Sequence, residues 1–536
     1  MKHIKTLFQI LIAMALLTAC NDDDNEAMEC AKSSVDGKSV DTEGMMILGK
    51  EIENPYSISY MRMALEEMKK SNVSKAANDC NLEANCLYVR FLPTNREEFE
   101  ILVSDSTIEL FDYPLLNEIE VEGDYYHDPS LPVDAITWQY TTVPVNYTFP
   151  NVKYEILDSC FIPDDYEQTI SKKTSNLDTD DLTYIAFKLA GQEEEYLRTL
   201  SKKRESPSGQ FRVYDNYKKS FVGIAGVKVR VSNSIRWACT YTDNDGNYEF
   251  DKHFSIKNMR YHIKFQTEDS IIINNLMFDV DAASKNLGKH PKSGYSEDFK
   301  SDTSKVWMWA TVNNAVQIFK KQLCPKFDIP TPNIKLHIFA SKKQNKNNWE
   351  GCTPMARHMS IKFANWQAFC IHCLGFSVEK WIADAIAPDM MIFHNTATQK
   401  IYSNVFHEMS HVCHYMKVGK DYWQPYVKFI LTHYGYGQKT DNNSGYVGVG
   451  EMWGYYFGNY VCDYAYFNKR FSWNPQEDWF KPGIMEYLQT DIPLHTRQIY
   501  NVLTPDVTSH ELLKQELLKT YNNEKIIKDS FFYFGF

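Results

Sequence analysis

The stretch that most constrains this chain is "FHEMSHVCHYMK", residues 406–417, with three histidines and a glutamate in twelve positions. It belongs to a longer Pro-free run, "IYSNVFHEMSHVCHYMKVG", whose apolar residues Ile401, Val405 and Val412 recur at helical spacing before Gly419. A buried helix is therefore predicted. On it His407 and His411 lie four apart, so both imidazoles can reach one ion at about 2.0–2.1 Å, with Glu408 beside it. This is the HExxH spacing, and the ion it suits is Zn2+. Zinc brings the pKa of a bound water to about 7, and Glu408 stands where it can take the proton. His414 stands seven residues from His407, about 10 Å along the axis, too far for one ion on a straight helix. His407 and His411 are thus read as ligands, Glu408 as the general base, and His414 as a bystander.

Catalytic zinc usually takes three protein ligands and keeps a fourth position open. The metzincin pattern does not supply the third here, because His414 stands where that pattern has its glycine and Lys417 where it has its ligand. A better source is "GYVGVGEMWGYYFGNYV" (445–461), a predicted helix whose single acidic residue is Glu451. A lone carboxylate among apolar and aromatic neighbours is costly unless paired or metal-bound, so Glu451 is the expected third ligand. HExxH followed downstream by a helix bearing a glutamate resembles the gluzincins, with 39 residues between His411 and Glu451. The aspartate usual in that pattern four residues after the glutamate is missing, since position 455 is Tyr. The resemblance also implies a Tyr or His donor for the oxyanion of a tetrahedral intermediate. Tyr434, Tyr436, Tyr446 and His433 are the candidates, and Tyr446, nearest to Glu451, is preferred.

At 536 residues the chain exceeds one core, and 43% hydrophobic with 14% aromatic residues supplies enough apolar surface for several. A net charge of −12 with no basic stripe argues against nucleic acid as a partner. The N-terminus, "MKHIKTLFQILIAMALLTAC", has basic Lys2 and Lys5 and an apolar run too short to span a bilayer. Residues 1–19 are read as a signal peptide. The ending "LTAC" resembles a bacterial lipobox, which implies lipidation of Cys20. The acidic "NDDDNE" that follows resembles the export tag of lipoproteins sent to the surface of Gram-negative bacteria, so the expected location is the outer membrane or cell surface, held by lipid alone. Of twelve cysteines, eleven remain besides Cys20. Disulfides are permitted outside the cytoplasm, and an odd count leaves at least one thiol over. Proximity suggests Cys80 with Cys86, and Cys352 with Cys370 or Cys373. The "CIHC" of 370–373 has no second CxxC to complete a structural zinc site and is read as disulfide or core cysteines.

After an acidic linker (20–45), "NPYSISYMRMALEEMKK" (54–70) predicts a helix through Tyr60, Met61, Ala64, Leu65 and Met68. Short Val-, Ile-, Tyr- and Phe-rich runs then make 46–205 an α+β or β region. In "GIAGVKVRV", Val227, Val229 and Val231 fall on one face with Lys228 and Arg230 on the other, and an Asp-Asn-Asp-Gly turn follows. With Thr242, Asp243, Gly246, Tyr248 and Phe250, this resembles the carboxypeptidase regulatory-like (transthyretin-like) β-sandwich, placed at 206–300. Its acidic turn is read as an Asx turn rather than a cation site. Residues 301–536 begin with a helix through Trp309, Val312, Val316 and Phe319, capped by Asp302 or Thr303, followed by strands "NIKLHIFA" and "PDMMIF" and then the His-rich helix. That order is expected of a zincin-like catalytic domain. The expected fold is multidomain α+β: an N-terminal α+β region, a small β-sandwich and a mainly helical C-terminal domain. Together, the regulatory-like segment, "HEMSH" and "GVGEMW" resemble a surface-lipoprotein family of zinc metallopeptidases. The resemblance implies hydrolysis of a peptide or protein substrate by zinc-bound water activated by Glu408, and names no specific substrate. The alternative is a surface binding or adhesion lipoprotein with an inactive zincin-like domain.

Overall fold

The amphipathic run near the N-terminus forms the helix Ile58–Lys70, burying Met61, Ala64, Leu65 and Met68. Lys69 and Lys70 occupy its last turn, where the helix dipole favours cations. It packs against the helix Thr179–Leu189, capped by Asp178, whose carboxylate accepts from the N–H groups of Asp180 and Asp181. The computed structural model describes residues 44–70, 80–132, 135–163, 165, 177–196, 206–269, 271–274, 281–342, 350–359, 388–393, 395–433, 435–468, 478–491 and 494–536. The signal peptide, Cys20, nearly all of the acidic linker, "CIHC" and Tyr434 lie outside them.

Strand Cys86–Leu92 is the centre of a three-stranded antiparallel sheet between Gln139–Pro144 and Lys153–Cys160. Its register sets Cys86 opposite Cys160, and no disulfide joins Cys80 to Cys86. The expectation from proximity fails because register, not sequence separation, decides which side chains meet across a sheet.

Two four-stranded sheets follow. One is organised around Ser208–Asp215, which pairs with Asn247–Glu249, Ser220–Gly223 and, in parallel, Glu297–Phe299. The other runs Ser284–Pro291, Asn258–Lys264, Lys228–Asn233, Arg236–Tyr241, antiparallel throughout. Phe211 and Val213 of the first share one buried apolar cluster with Val229, Val231 and Tyr261 of the second. Val227, Val229 and Val231 are fully buried as their alternation predicts. The polar face is covered as well: Arg230 is buried, and with Lys228 and Lys264 it surrounds Glu109 of the N-terminal region. The acidic turn is an Asx turn, in which Asp243 Oδ1 accepts from the N–H groups of Asp245 and Asn247.

The C-terminal part begins with the helix Lys305–Ile318. Its cap is Ser304, whose hydroxyl accepts from the Trp307 N–H, rather than Asp302 or Thr303. The expected stripe is buried, and so is every residue from 306 to 317, which makes this a central helix. Strands Ile272–Asn274, His337–Ala340 and Met390–Ile392 run parallel, with Gly351–Cys352 antiparallel at the edge. The first of these comes from the 206–300 segment, so that segment contributes a strand to this third four-stranded sheet as well. The helix Thr398–His433 follows, then Ser444–Cys462, then Gly483–Asp491, Thr496–Val502, His510–Thr520 and Glu524–Tyr533. Among the described residues the chain is mixed α and β, with several small sheets and a helical C-terminal part. None of the described helices is long and apolar enough to cross a membrane.

Candidate metal centre

The histidine helix, Thr398–His433, is broken at Gly419, whose φ of 78° and ψ of −179° no helical residue adopts. Its first half therefore ends where the sequence predicts. His407 and His411 stand on that half, with ring centroids 4.7 Å apart and Nε2 atoms 3.0 Å apart. The glutamate helix, Ser444–Cys462, packs directly on it through glycines spaced by four. A Cβ on Gly458 would lie 2.7 Å from the Cα of His407, and one on Gly454 would lie 2.6 Å from His411 Cε1. No Cβ tolerates such distances, so this approach requires glycine. Trp453 Nε1 donates to the Ser410 carbonyl at 3.0 Å and ties the two helices together.

Glu451 is carried into the cluster by that contact. Its Oε2 lies 3.5 Å from His407 Nε2 and 3.6 Å from His411 Nε2, and it has no hydrogen-bond partner among the described residues. Three donor atoms around a tetrahedral zinc, at about 2.0–2.1 Å each, would be about 3.3 Å apart. The observed 3.0, 3.5 and 3.6 Å fit that triangle, and the orphaned, buried Oε2 is the atom such an ion would satisfy. Burial opposes ionisation of Glu451, yet the imidazoles of His411 and His407 outweigh it and hold the carboxyl below its ordinary range.

Glu408 offers a ligand atom within 4.8 Å of those of both histidines, so the His407–Glu408–His411 group also clusters by itself. Glu451 is the better-placed third donor, because its unpartnered Oε2 faces both Nε2 atoms at 3.5 and 3.6 Å. The Thr353 hydroxyl donates to Glu408 Oε2 at 2.7 Å. Burial pushes the Glu408 carboxyl up to about 7, against the lowering effects of His407 and Thr353. On its other side stands edge-strand Gly351, where a Cβ would lie 2.8 Å from Glu408 Oε1. His411 and Glu451 are 2% exposed, whereas 17% of the His407 side chain is open, so the cluster meets solvent at His407.

The remaining candidates separate. Tyr446 turns about 140° round the helix from Glu451, its ring on Tyr422 at 5.0 Å and its carbonyl accepting from the Tyr422 hydroxyl. His433 bonds the Phe429 carbonyl and faces Asp441 at 3.6 Å. Tyr436 stays near the cluster, its phenol hydrogen-bonded to that of Tyr455 and raised well above its ordinary pKa by burial and by Glu451. Tyr455, where the gluzincin pattern has aspartate, sets its ring 4.5 Å from that of His407. His414 is fully buried and packs on Tyr422 and Trp423, at 5.0 and 5.6 Å. Burial pushes its pKa down to about 3, so it is a neutral core histidine.

Sequence reasoning missed Tyr426, whose phenol donates to Glu451 Oε1, and Thr353 beside Glu408. Neither carries a local signal. The glycines at 450, 454 and 458 do, as a Gly-x-x-x-Gly-x-x-x-Gly stripe. No family model, curated protein or solved structure matches this chain.

Proposed function

We propose that this chain is a zinc-dependent metallopeptidase of the gluzincin type, with His407, His411 and Glu451 as ligands and Glu408 as general base. The observation that carries the reading is the convergence of three buried or half-buried donor atoms whose spacing suits one tetrahedral ion. Zinc bound there supplies polarisation of a peptide carbonyl and acidification of a water. Glu408, with a carboxylate oxygen within 4.8 Å of donor atoms of both histidines, stands where it can take a proton from that water and hand it to the leaving amine. Thr353 fixes one of its oxygens, and Gly351 leaves room before the other. Edge strand Gly351–Cys352, next to that glutamate, is placed to pair with an extended peptide by strand addition.

The same proposal places the catalytic unit at 301–536 as a zincin-like domain and the two sheets of 206–300 as a regulatory-like sandwich. It assigns Cys20 as the lipid anchor that holds the protein at the cell surface. The test compares metal content and cleavage of a peptide library for wild type, Glu408→Gln and Glu451→Ala. Glu408→Gln should keep its zinc and lose on the order of 100-fold or more in rate, while Glu451→Ala should lose the metal. Full hydrolysis by Glu408→Gln sinks the mechanism, and unchanged zinc in Glu451→Ala removes the third ligand.

A further inference from the structure

We propose that Tyr426 positions the third metal ligand: its phenol, donating to Glu451 Oε1, turns Oε2 toward His407 and His411 and holds it there. The inference rests on the zinc reading of the site and adds a residue that the gluzincin resemblance does not supply.

The two oxygens of Glu451 are not equivalent. Oε1 receives the Tyr426 hydroxyl, and Oε2 has no partner among the described residues and faces both imidazoles. A carboxylate free to rotate would offer either oxygen, or both, to an ion. One donor on one oxygen removes that freedom and leaves a single acceptor aimed at the cluster.

Tyr426 is itself firmly held. It is 4% exposed, and its ring stacks on Trp423 at 4.3 Å and 19°. Gly450, the neighbour of Glu451, admits the ring, since a Cβ there would lie 2.7 Å from Tyr426 Cε2. Tyr426 stands seven residues past the Gly419 break, on the half of the helix that the break redirects. Tyr455 meets His407 by ring packing, and His411 Nδ1 has no hydrogen-bond partner among the described residues. Among the described residues, the hydrogen bond that reaches this cluster therefore goes to the Glu451 carboxylate and not to His411 Nδ1. Tyr426 acts through Glu451, which makes it a positioning residue.

Tyr426→Phe deletes one oxygen and keeps the stack on Trp423. The apo full-length protein is titrated with Zn2+ against a competing chelator, and the visible spectrum of the Co2+ form is recorded, for wild type, Tyr426→Phe and Tyr422→Phe. Tyr422, equally buried, loses a hydroxyl whose partner among the described residues is the Tyr446 carbonyl. Zinc affinity about 10–100-fold weaker in Tyr426→Phe, typical of losing a hydrogen bond to a metal ligand, with an altered Co2+ spectrum and with Tyr422→Phe like wild type, is the expected result. Wild-type affinity and spectrum in Tyr426→Phe overturn the proposal, as does a fall in kcat with metal binding intact, which would put the phenol on the substrate. If Tyr426→Phe does not fold, Gly450→Ala, which keeps the phenol but displaces its ring, decides: weaker zinc binding supports the role and wild-type binding rejects it. A wild-type protein that takes up no zinc rejects the metal reading itself, a failure distinct from that of Tyr426 alone.

Discussion

Glu109 and Glu451 are both buried carboxylates, 3% and 2% exposed, and both are held below the ordinary carboxyl range. Their surroundings differ in one respect. Glu109 is met by Lys228 Nζ at 3.0 Å, Arg230 Nη1 at 3.4 Å and Lys264 Nζ at 3.7 Å, cations presented by the sheet that covers it. Glu451 meets a phenol and two imidazoles, and one of its oxygens is left without a donor among the described residues. A buried carboxylate compensated by its own chain is a structural joint. One left short of compensation, with imidazole nitrogens facing it, has the makings of a ligand site.

This contrast can be broken most forcefully at the joint. Glu109→Ala strands Lys228 and Arg230 in a buried interface and should cost about 3–5 kcal/mol, read by denaturant unfolding. Equal stability of the variant would show that the cations find water instead. Glu451→Ala removes no such compensation, so the metal-free protein should tolerate it far better.

Buried neutral histidines set the acid side of the same comparison. Burial pushes His510 down to about 4, with its Nε2 donating to the Phe480 carbonyl at 3.1 Å and its ring 3.7 Å from that of Phe536. Because its folded pKa is depressed, the stability it confers is complete above about pH 6.5 and is lost as pH falls toward 4. The loss approaches about 3 kcal/mol. Thermal unfolding from pH 7 to 4 should show it, and His510→Gln should flatten that slope; an unchanged slope would assign the acid sensitivity to other groups.

The next effect separates the two carboxylates by ligand. With zinc at a hundred times its Kd, the wild-type protein should gain about 2.7 kcal/mol. Glu451→Ala should gain almost nothing at that concentration, whereas Glu109→Ala should gain as much as wild type. Equal zinc-induced shifts in Tm for Glu451→Ala and wild type would erase the distinction. The smallest change expected is at the helix contact. Gly454→Ala places a Cβ 2.6–2.7 Å from the His411 ring, so it should destabilise the apo protein by about 1–2 kcal/mol and also weaken zinc binding. A loss of stability without weaker binding would mean that the imidazoles adjust.

Much of the site was legible before any fold was known. Two histidines four apart with a glutamate between them, in a Pro-free run closed by Gly419, specify a helix with one polar face. A single acid in "GYVGVGEMWGYYFGNYV" specifies a buried carboxylate in need of a partner. Tyr446 shows where such reading fails: nearness in sequence to Glu451 placed it on another face of the helix. In the fold, the apolar stripes of Ile58–Lys70, half-buried Tyr60 apart, and of Lys305–Ile318 were read correctly, because helical periodicity is a property of neighbours. That Lys305–Ile318 is covered on all sides was not legible, since nothing local reports that a helix is surrounded.

The sequence by itself determined which residues can share a helical face, and so the His407–Glu408–His411 cluster and the isolation of Glu451. Only the tertiary structure decided what meets them: Tyr426, 25 residues before Glu451; Thr353, 55 before Glu408; and the cover over Lys228 and Arg230. The division has a physical cause. Backbone geometry repeats over three or four residues and is written locally, whereas a hydrogen-bond partner or a covered face depends on which distant segments the glycine contacts and sheet registers bring together.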